Sequence, residues 1–167
     1  MSSLQKLKAA TERRDLATLL DVSPRNFAYI LYKTADTAKY TRFSIPKRHG
    51  GEREISAPSL GLKLIQQKLS ALLQDCADEI TLSHVKIENG RRPGLAHGFK
   101  RNHTIMTNGR VHVSRRFVFN VDLHDFFGTI NFGRVRGFFI KDRNFSLPPA
   151  VATVIAQIAC FENKLPQ

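Results

Sequence analysis

The stretch Phe119-Asn120-Val121-Asp122-Leu123-His124-Asp125-Phe126-Phe127 is an apolar run with an acid inside it and two aromatic residues at its end. The pattern predicts a β-strand over Phe117–Asp122 in which Asp122 shares a face with Val118 and Asn120. A carboxylate in such a strand costs free energy unless it is paired or bound to a metal ion. An aspartate at a strand end, followed by an aromatic wall, is suited to holding Mg²⁺ beneath a nucleoside triphosphate. The stretch therefore indicates phosphoryl-transfer chemistry.

The composition is strongly basic. The 167 residues include 26 Lys and Arg against 14 Asp and Glu, a formal net charge of +12, and the pI is about 10.2. A hydrophobic content of 42% supports a folded core in a chain the size of one ordinary domain. A basic excess in a folded chain that contains aromatic residues favours nucleic acid as the partner. The alternative is that the charge only maintains solubility.

Several classes of protein are disfavoured by the cysteines, the histidines and the hydropathy pattern. Cys76 and Cys160 lie far apart, which argues against a disulfide framework or a zinc finger. The six histidines never fall at metal-ligand spacing with acids or thiols. Met1–Ala10 is polar and basic, and no apolar run approaches the roughly 20 residues that span a bilayer. The expectation is a cytoplasmic protein without a membrane partner.

Local signals in the N-terminal half predict helices followed by a hairpin. Ser23 is suited to cap a helix that Pro24 opens, and the buried face of this helix would carry Phe27, Ile30 and Leu31. Two short alternating segments, Arg42–Lys47 and Glu52–Ser56, flank the turn Arg48-His49-Gly50-Gly51. Its glycines can supply the positive φ that a tight turn requires.

Further helices are predicted after the hairpin. Pro58 and Ser59 open an amphipathic helix whose apolar stripe is Leu62, Ile65, Leu69, Leu72 and Leu73. The Gly-, Arg- and Pro-rich segment Glu88–Lys100 predicts a loop, and a helix follows from about Thr104. Two later helices are predicted: Thr129 or Asn131 would cap the first, and Pro148-Pro149 would open the second. With the strand, these elements predict an α+β fold in which an incomplete antiparallel sheet is packed with helices.

The basic side chains of the predicted hairpin could bind phosphate, and the acidic side chain in the predicted strand could bind a metal ion. Lys47, Arg48 and Arg53 cluster around the predicted glycine turn. A basic hairpin can fold over a triphosphate, and Arg53 offers a planar fork to phosphate oxygens; the alternative is a solvated basic hairpin. For Asp122, the alternative to a metal ligand is an N-cap of the following turn. Asp125 would not share the face of Asp122 and is interpreted as a cap or an ion-pair partner.

Three segments resemble, in order and spacing, the bacterial reverse transcriptases, and retron reverse transcriptases fit best. The first is similar to the fingers segment of that family: Ile45-Pro46-Lys47, Gly50-Gly51-Glu52-Arg53-Glu54-Ile55-Ser56-Ala57-Pro58, and Leu62-Lys63 with Ile65-Gln66. The second is similar to the next block: His97-Gly98-Phe99, Thr104-Ile105, Asn108 and His112. The third, Phe119 to Phe127, resembles the first catalytic palm motif. The resemblance covers the chain from about Leu16.

The resemblance implies a right-hand polymerase fold of fingers and palm. Residues 1–38 would form an N-terminal helical segment, 39–115 the fingers region and 116–167 a partial palm. The implied activity is RNA-directed DNA polymerisation, in which two Mg²⁺ ions assist attack of a primer hydroxyl on the α-phosphate of a deoxynucleoside triphosphate.

The resemblance also implies roles for individual residues. Asp122 would be the catalytic, metal-binding aspartate, and the backbone carbonyl of Leu123 would help to hold the second Mg²⁺. Lys47 and Arg53 would grip the incoming triphosphate, and Phe127 would exclude a ribose 2′-hydroxyl. The implied nucleic-acid contacts are Arg48, His97, Phe99, Lys100, Arg101, Asn108 and His112.

The implied partners are a structured non-coding RNA, its RNA–DNA product and deoxynucleoside triphosphates, with an effector domain or protein and a role in antiphage defence. The chain departs from the family after Leu165-Pro166-Gln167, because the motif with Gly and Ser-Pro and the later Tyr-x-Asp-Asp motif are not among these residues. A single aspartate cannot hold two Mg²⁺ ions in working geometry. We therefore expect the isolated 167 residues to be inactive.

Two other functions fit parts of the sequence. Leu16 to Ser23, followed by Phe27 and Ile30, resembles a helix-turn-helix that would bind DNA. That interpretation leaves Arg42–Gln167 unexplained. A second alternative is a non-catalytic fragment or subunit that binds RNA or another protein through an unfinished sheet.

Overall fold

The computed structural model describes residues 1–48, 50–84, 97–98, 100–123 and 125–166. The helices within these ranges are α1 (Ser3–Ala9), α2 (Arg13–Leu19), α3 (Pro24–Ala28), α4 (Asp36–Lys39), α5 (Leu60–His84), α6 (Ile105–His112), α7 (Phe126–Thr129), α8 (Phe132–Lys141) and α9 (Pro149–Ala159). A single π-helical turn, Tyr29–Lys33, continues α3, and the strands are β1 (Tyr40–Pro46) and β2 (Glu52–Pro58). Helices with an antiparallel hairpin confirm the α+β class.

The predicted helix starts are confirmed where a capping side chain defines them. Ser23 Oγ accepts a hydrogen bond of 3.3 Å from the Asn26 amide, and Pro24 is the first residue of α3. Of the two caps predicted for α8, Asn131 is the one used, because its Oδ1 accepts from the Arg134 amide at 2.9 Å. Such caps satisfy amides that have no partner within the first helical turn.

The predicted hairpin is confirmed and is longer than the alternating residues indicate. β1 and β2 pair in register from Tyr40 opposite Pro58 to Pro46 opposite Glu52. Gly50 and Gly51 have φ of 91° and 80°, and the Lys47 amide donates to the Gly51 carbonyl at 2.9 Å. The turn needs these glycines because other residues rarely adopt positive φ at low cost. His49 of the predicted turn lies outside the described residues.

One core joins the N-terminal helices to α5 and α9. The predicted stripe of α5 is buried at Leu62, Ile65 and Leu69, and it meets buried residues of the other helices: Leu7, Leu16, Phe27, Val151, Val154, Ile155 and Ile158. The Glu79 carboxylate of α5 accepts from the Ser3 and Leu4 amides at 2.7 and 3.0 Å. This contact holds the first turn of α1 against α5.

Cys76 is a buried thiol on α5, and both cysteines are free. Burial raises the pKa of the Cys76 thiol to about 11, with help from the nearby Glu79 and Asp75 carboxylates. Because the thiolate is the reactive form, we expect Cys76 to react with iodoacetamide at pH 8 at least about tenfold more slowly than an exposed cysteine. Mass spectrometry of the labelled native protein measures this. Equal rates before and after denaturation would contradict the buried placement.

The predicted strand Phe117–Asp122 is wrong for this structure. Residues 117–123 have no regular secondary structure, and Phe117 and Phe119 are 81% and 89% exposed. A strand forms only when its amides and carbonyls meet those of a neighbour. The strands of the described residues are β1 and β2, which pair with each other rather than with this segment. The face that Asp122 was to share with Val118 and Asn120 is therefore not formed.

Two further predictions concern the segment that follows α5, and the structure tests only one of them fully. The predicted helix after Thr104 is confirmed as α6, with Thr104 as its cap. The predicted loop Glu88–Lys100 lies outside the described residues except for 97, 98 and 100. In the described part of the chain, no helix combines the length and apolar character needed to cross a membrane.

Candidate functional site

A cleft of about 570 Å³ lies between the hairpin and the C-terminal segment that follows α9. The hairpin side is lined by Arg42, Lys47, Glu52, Arg53, Glu54 and Ser56. The opposite side is lined by Asp125, Gly128, Phe161, Glu162, Lys164, Leu165 and Pro166. The cleft therefore joins two parts of the chain that are distant in sequence.

The base of the hairpin is held by stacking of two aromatic rings and by hydrogen bonds from the side-chain amide of Gln66. The rings of Tyr40 and Phe161 are stacked with their centroids 4.1 Å apart. Gln66 Nε2 on α5 donates to Tyr40 Oη and to the Ile158 carbonyl, each at 2.9 Å. Burial raises the pKa of the Tyr40 hydroxyl, so this group stays a neutral phenol. These contacts fix the strand ends against α5 and the end of α9.

Arg42 joins the two walls of the cleft. Its guanidinium contacts the Glu162 carboxylate and lies 3.6 Å from Glu54 Oε1. The same guanidinium sits over the Phe161 ring at 5.1 Å from the centroid. One side chain thus neutralises an acid from each wall, and exposed pairs of this kind are individually weak. Its main effect is to orient the C-terminal segment.

The far wall is built by backbone pairing between residues 130–132 and 163–165. The Phe132 amide donates to the Asn163 carbonyl at 3.0 Å, and the Leu165 amide donates to the Ile130 carbonyl at 3.1 Å. Asn131 and Lys164 form an antiparallel bridge between these hydrogen bonds. This pairing places Leu165 and Pro166 beside the short helix α7, which begins after Asp125.

Gly128 allows the Asp125 carboxylate to fold back over α7. A Cβ at position 128 would clash with both carboxylate oxygens of Asp125, so any larger residue would displace that side chain. Asp125 itself has φ of 47° and is the N-cap residue of α7, although its side chain makes no capping hydrogen bond there. Asp125 is one of the residues that line the cleft. The residue type at position 128 therefore controls where this acid points.

Two cations of the hairpin remain available to an anion. Among the described residues, neither Lys47 nor Arg53 forms an ion pair within 4.0 Å, whereas Arg42 is paired. Both line the cleft, Lys47 beside the turn and Arg53 in the register position opposite Ile45. Unpaired cations in a concave site bind phosphate oxygens through charge-assisted hydrogen bonds. The cleft is thus a candidate phosphate site.

No protein-family model matches the chain. Curated proteins do match: the retron Mx65 reverse transcriptase of Myxococcus xanthus is 35% identical over 128 residues, which is 75% of the chain. The retron Ec86 reverse transcriptase of Escherichia coli is 28% identical over 156 residues, or 92% of the chain. The retron Mx162 reverse transcriptase of Myxococcus xanthus is 34% identical over 114 residues, or 68% of the chain.

The chain is related to retron reverse transcriptases. The matched region is 27% of the Mx65 protein, 43% of the Ec86 protein and 21% of the Mx162 protein. The chain therefore spans less than half the length of these relatives. The resemblance carried by the hairpin and by Phe119 to Phe127 is confirmed at the level of the family.

The two residues predicted to bind metal, Asp122 and Leu123, do not line the cleft. Both are exposed, whereas Asp125 does line the cleft. Within the described ranges, no group of three or more His, Cys, Asp or Glu side chains could hold a metal ion. Phe127 is partly buried, and its ring meets that of Phe126 edge to face at 5.5 Å between centroids. His124 lies outside the described residues.

The residues predicted to contact nucleic acid fall on different surfaces. Arg48 is exposed beside the hairpin turn, and Asn108 and His112 are exposed on α6. Arg101 pairs with Asp75 of α5 at 2.8 Å. His97 Nδ1 lies 2.9 Å from Thr107 Oγ1, which positions it beside α6, and Lys100 lines a separate cavity with Phe138 and Phe145. Phe99 lies outside the described residues.

Sequence reasoning missed Arg42, Phe161, Glu162 and Lys164 as residues of the cleft. Arg42 and Glu162 are distant in sequence, and neither lies in a motif that indicates contact with the other. A signal was present only for the hairpin wall, where the glycine turn and basic residues lie close together in the sequence. On the opposite wall, Phe161, Glu162 and Lys164 are brought to the cleft by tertiary pairing and lie in no motif that the sequence analysis uses.

Proposed function

We propose that the chain is the fingers and partial palm of a retron-type reverse transcriptase that copies a structured RNA into DNA. The observation that carries this proposal is the cleft in which unpaired Lys47 and Arg53 face the segment containing Asp125. Its support comes from the relation to three retron reverse transcriptases and from the net charge of +12. Residues 1–38 would be the N-terminal helical segment, 39–115 the fingers and 116–167 the partial palm.

The hairpin would bind the triphosphate of an incoming deoxynucleotide. Arg53 would donate a pair of hydrogen bonds to phosphate oxygens, and Lys47 would add a point charge beside the glycine turn. A cleft of about 570 Å³ has the size of ordinary small-molecule sites. Because Arg42 is already bound to acids of both walls, it would hold the cleft together rather than contact the ligand.

The Asp122 carboxylate and the Leu123 carbonyl are oxygen donors of the kind that Mg²⁺ prefers. Both residues are exposed and thus accessible to a metal ion. When bound, two Mg²⁺ ions would stabilise the charge that develops as a primer hydroxyl displaces pyrophosphate. Because the described residues bring no second and third ligand to Asp122, we expect these 167 residues alone not to extend a primer.

Phe127 would select deoxynucleotides by excluding a 2′-hydroxyl. The template side would be formed by Arg48, His97, Phe99, Lys100, Arg101, Asn108 and His112. A structured non-coding RNA and its RNA–DNA product are the proposed macromolecular partners. A cytoplasmic role in antiphage defence, with an effector domain or protein, completes the proposal and rests on the relation to the retron family alone.

Arg53→Ala is expected to weaken binding of a deoxynucleoside triphosphate about tenfold or more. Hydrogen bonds to charged groups contribute roughly 1.5–3 kcal/mol, and Ala removes the guanidinium fork. Binding of a fluorescent deoxynucleoside triphosphate with Mg²⁺, titrated against the purified chain, measures the effect. The matched control is Arg143→Ala, which removes the same charge from an exposed position outside the cleft.

The corresponding nucleoside, which lacks phosphates, separates phosphate recognition from base binding. We expect it to bind weakly to both the parent and the variant. If Arg53→Ala and Arg143→Ala behave alike, or if the nucleoside binds as well as the triphosphate, the hairpin is not a triphosphate clamp. The proposal would then give way to a non-catalytic RNA-binding role.

A further inference from the structure

A second basic surface lies on the N-terminal helices, away from the cleft. Arg13, Arg14 and Arg25 surround a depression of about 260 Å³ that is completed by Ala17, Pro24 and Ala28. The first two arginines come from the start of α2, and the third comes from α3. Three arginines that line one concavity place like charges near each other, and an anion bound among them would offset their repulsion. The surface therefore has the charge of an anion-binding site.

The acids near this depression are engaged elsewhere. The Asp15 carboxylate accepts from the Thr11 and Glu12 amides at 2.8 and 3.0 Å, and these hydrogen bonds lower its pKa. Asp21 pairs with Lys68 of α5 at 3.0 Å. Among the described residues, no carboxylate lies within 4.0 Å of the charged nitrogens of Arg13, Arg14 or Arg25. The Arg14 charge also lowers the pKa of Asp15 without forming an ion pair, so the three arginines keep charge that an external anion could neutralise.

Aromatic rings accompany these arginines. The guanidinium carbon of Arg13 lies over the Tyr32 ring, 5.0 Å from its centroid, and Tyr32 Oη donates to Gln157 Oε1 at 2.7 Å. Arg13 and Tyr32 are thereby held in place before any ligand binds. Tyr29 lies one helical turn after Arg25, so the two share a face, and its side chain is 61% exposed. An exposed ring beside arginines can stack on a base.

We propose that this surface, Arg13, Arg14, Arg25, Tyr29 and Tyr32, binds single-stranded nucleic acid. The three guanidinium groups contact consecutive phosphates, and the Tyr29 ring stacks on an unpaired base. Alternating cations and exposed aromatic rings are the combination that single-strand binders use. The site is separate from the cleft and from the residues used in the proposed polymerase function, and its test does not depend on that function.

The geometry disfavours the helix-turn-helix alternative as a reader of duplex DNA. α3 is an α-helix only over Pro24–Ala28 and then becomes the π-helical turn Tyr29–Lys33. A recognition helix lies along a major groove and presents several side chains from regular turns. Here the arginines instead border a depression together with α2. This arrangement fits a flexible strand better than the edge of a duplex.

The test compares Arg14→Gln/Arg25→Gln with a control that removes the same charge, Lys141→Gln/Arg143→Gln. Arg13 is left unchanged because it packs on Tyr32, and Arg14 and Arg25 are exposed, so the fold should be retained. Fluorescence anisotropy with the whole chain measures binding of a single-stranded RNA of about 12 nucleotides, the DNA of the same sequence and the matching duplex. Titrations are made between about 50 and 200 mM salt.

We expect the Arg14/Arg25 variant to lose at least about fivefold in single-strand affinity at low salt, relative to the control. The slope of log K against log salt should fall by about 1.4, since each lost phosphate contact removes about 0.7 for single strands. Tyr29→Ala should weaken binding at least about fivefold, whereas Tyr29→Phe, which keeps the ring, should bind like the parent. A preference between the RNA and the DNA strand identifies which of the two the surface binds.

Three results would overturn the proposal. The first is an Arg14/Arg25 variant that binds like the charge-matched control. The second is tighter binding of the duplex than of either single strand, which would restore the helix-turn-helix interpretation. The third is a Tyr29→Ala variant with unchanged affinity, or equal competition by polyglutamate, since either would reduce the surface to nonspecific attraction of polyanions.

Discussion

In a polypeptide that joins this chain to the remaining palm motifs of a retron reverse transcriptase, Asp122→Asn is expected to lower the rate of Mg²⁺-dependent primer extension at least about a thousandfold. Metal ions in such sites contribute several kcal/mol of transition-state stabilisation, and about 4 kcal/mol corresponds to a thousandfold in rate. Asn keeps the size of the side chain and removes the charge that attracts the metal ion. Extension of a primed RNA template, followed on a gel at several Mg²⁺ concentrations, measures the loss.

Two control measurements test whether the lost primer extension of Asp122→Asn reflects lost metal binding. RNA affinity of the Asp122→Asn protein should remain near that of the parent, because Asp122 is not among the proposed RNA contacts. Asp36→Asn removes an exposed carboxylate whose contact is with Lys39 on the same helix, so its extension rate should be nearly unchanged. Intact extension by Asp122→Asn together with weakened RNA binding would remove Asp122 from the metal site.

Phe127→Ala is expected to reduce the preference for deoxynucleotides by about 10- to 100-fold in the same polypeptide. A bulky ring discriminates against a 2′-hydroxyl by steric exclusion, and pocket contacts of this size are worth about 1–3 kcal/mol. Incorporation of ribonucleotides in competition with deoxynucleotides measures the ratio. The deoxynucleotide kcat/KM should change less than the ribonucleotide kcat/KM.

The neighbouring ring offers a matched control for this selectivity. Phe126 meets Phe127 edge to face, and Phe126→Ala removes the same volume from the same helix. Only the Phe127 variant should admit ribonucleotides. If sugar selectivity is unchanged in Phe127→Ala, or relaxed equally by both variants, the aromatic wall is a packing feature and not a selector of the sugar.

The sequence predicts those parts of the fold that are determined by contacts between residues close together in the chain. The Ser23 cap followed by Pro24, the Asn131 cap and the paired glycines of the hairpin turn each act through contacts to nearby backbone. The stripe of α5 follows from helical periodicity, which places Leu62, Ile65 and Leu69 on one face. The basic side of the cleft was predicted for the same reason, since Lys47 and Arg53 flank one turn.

The parts that the sequence does not predict depend on distant partners. The apolar alternation at 117–122 indicates a strand, yet strand formation requires a neighbour, and composition does not say whether one is present. The contact of Arg42 with Glu162 and the pairing of 130–132 with 163–165 likewise join separated segments. The role of Gly128 is likewise not predicted from the sequence. Its lack of a Cβ permits the position of the Asp125 carboxylate, which no motif states.

The exposed segment Phe117–Val121 has a colloidal consequence. Its residues combine high β-propensity with no proline and no charge, which is the composition of segments that promote self-association. Arg115 and Arg116 precede the segment and Asp122 follows it. These flanking charges oppose pairing of the segment with a second copy of the chain. A neutral residue at position 122 removes this acidic charge as well as the proposed metal ligand. Asp122→Asn protein should therefore precipitate at lower concentration than the parent, and Asp122→Lys protein, which restores a charge, should stay dispersed.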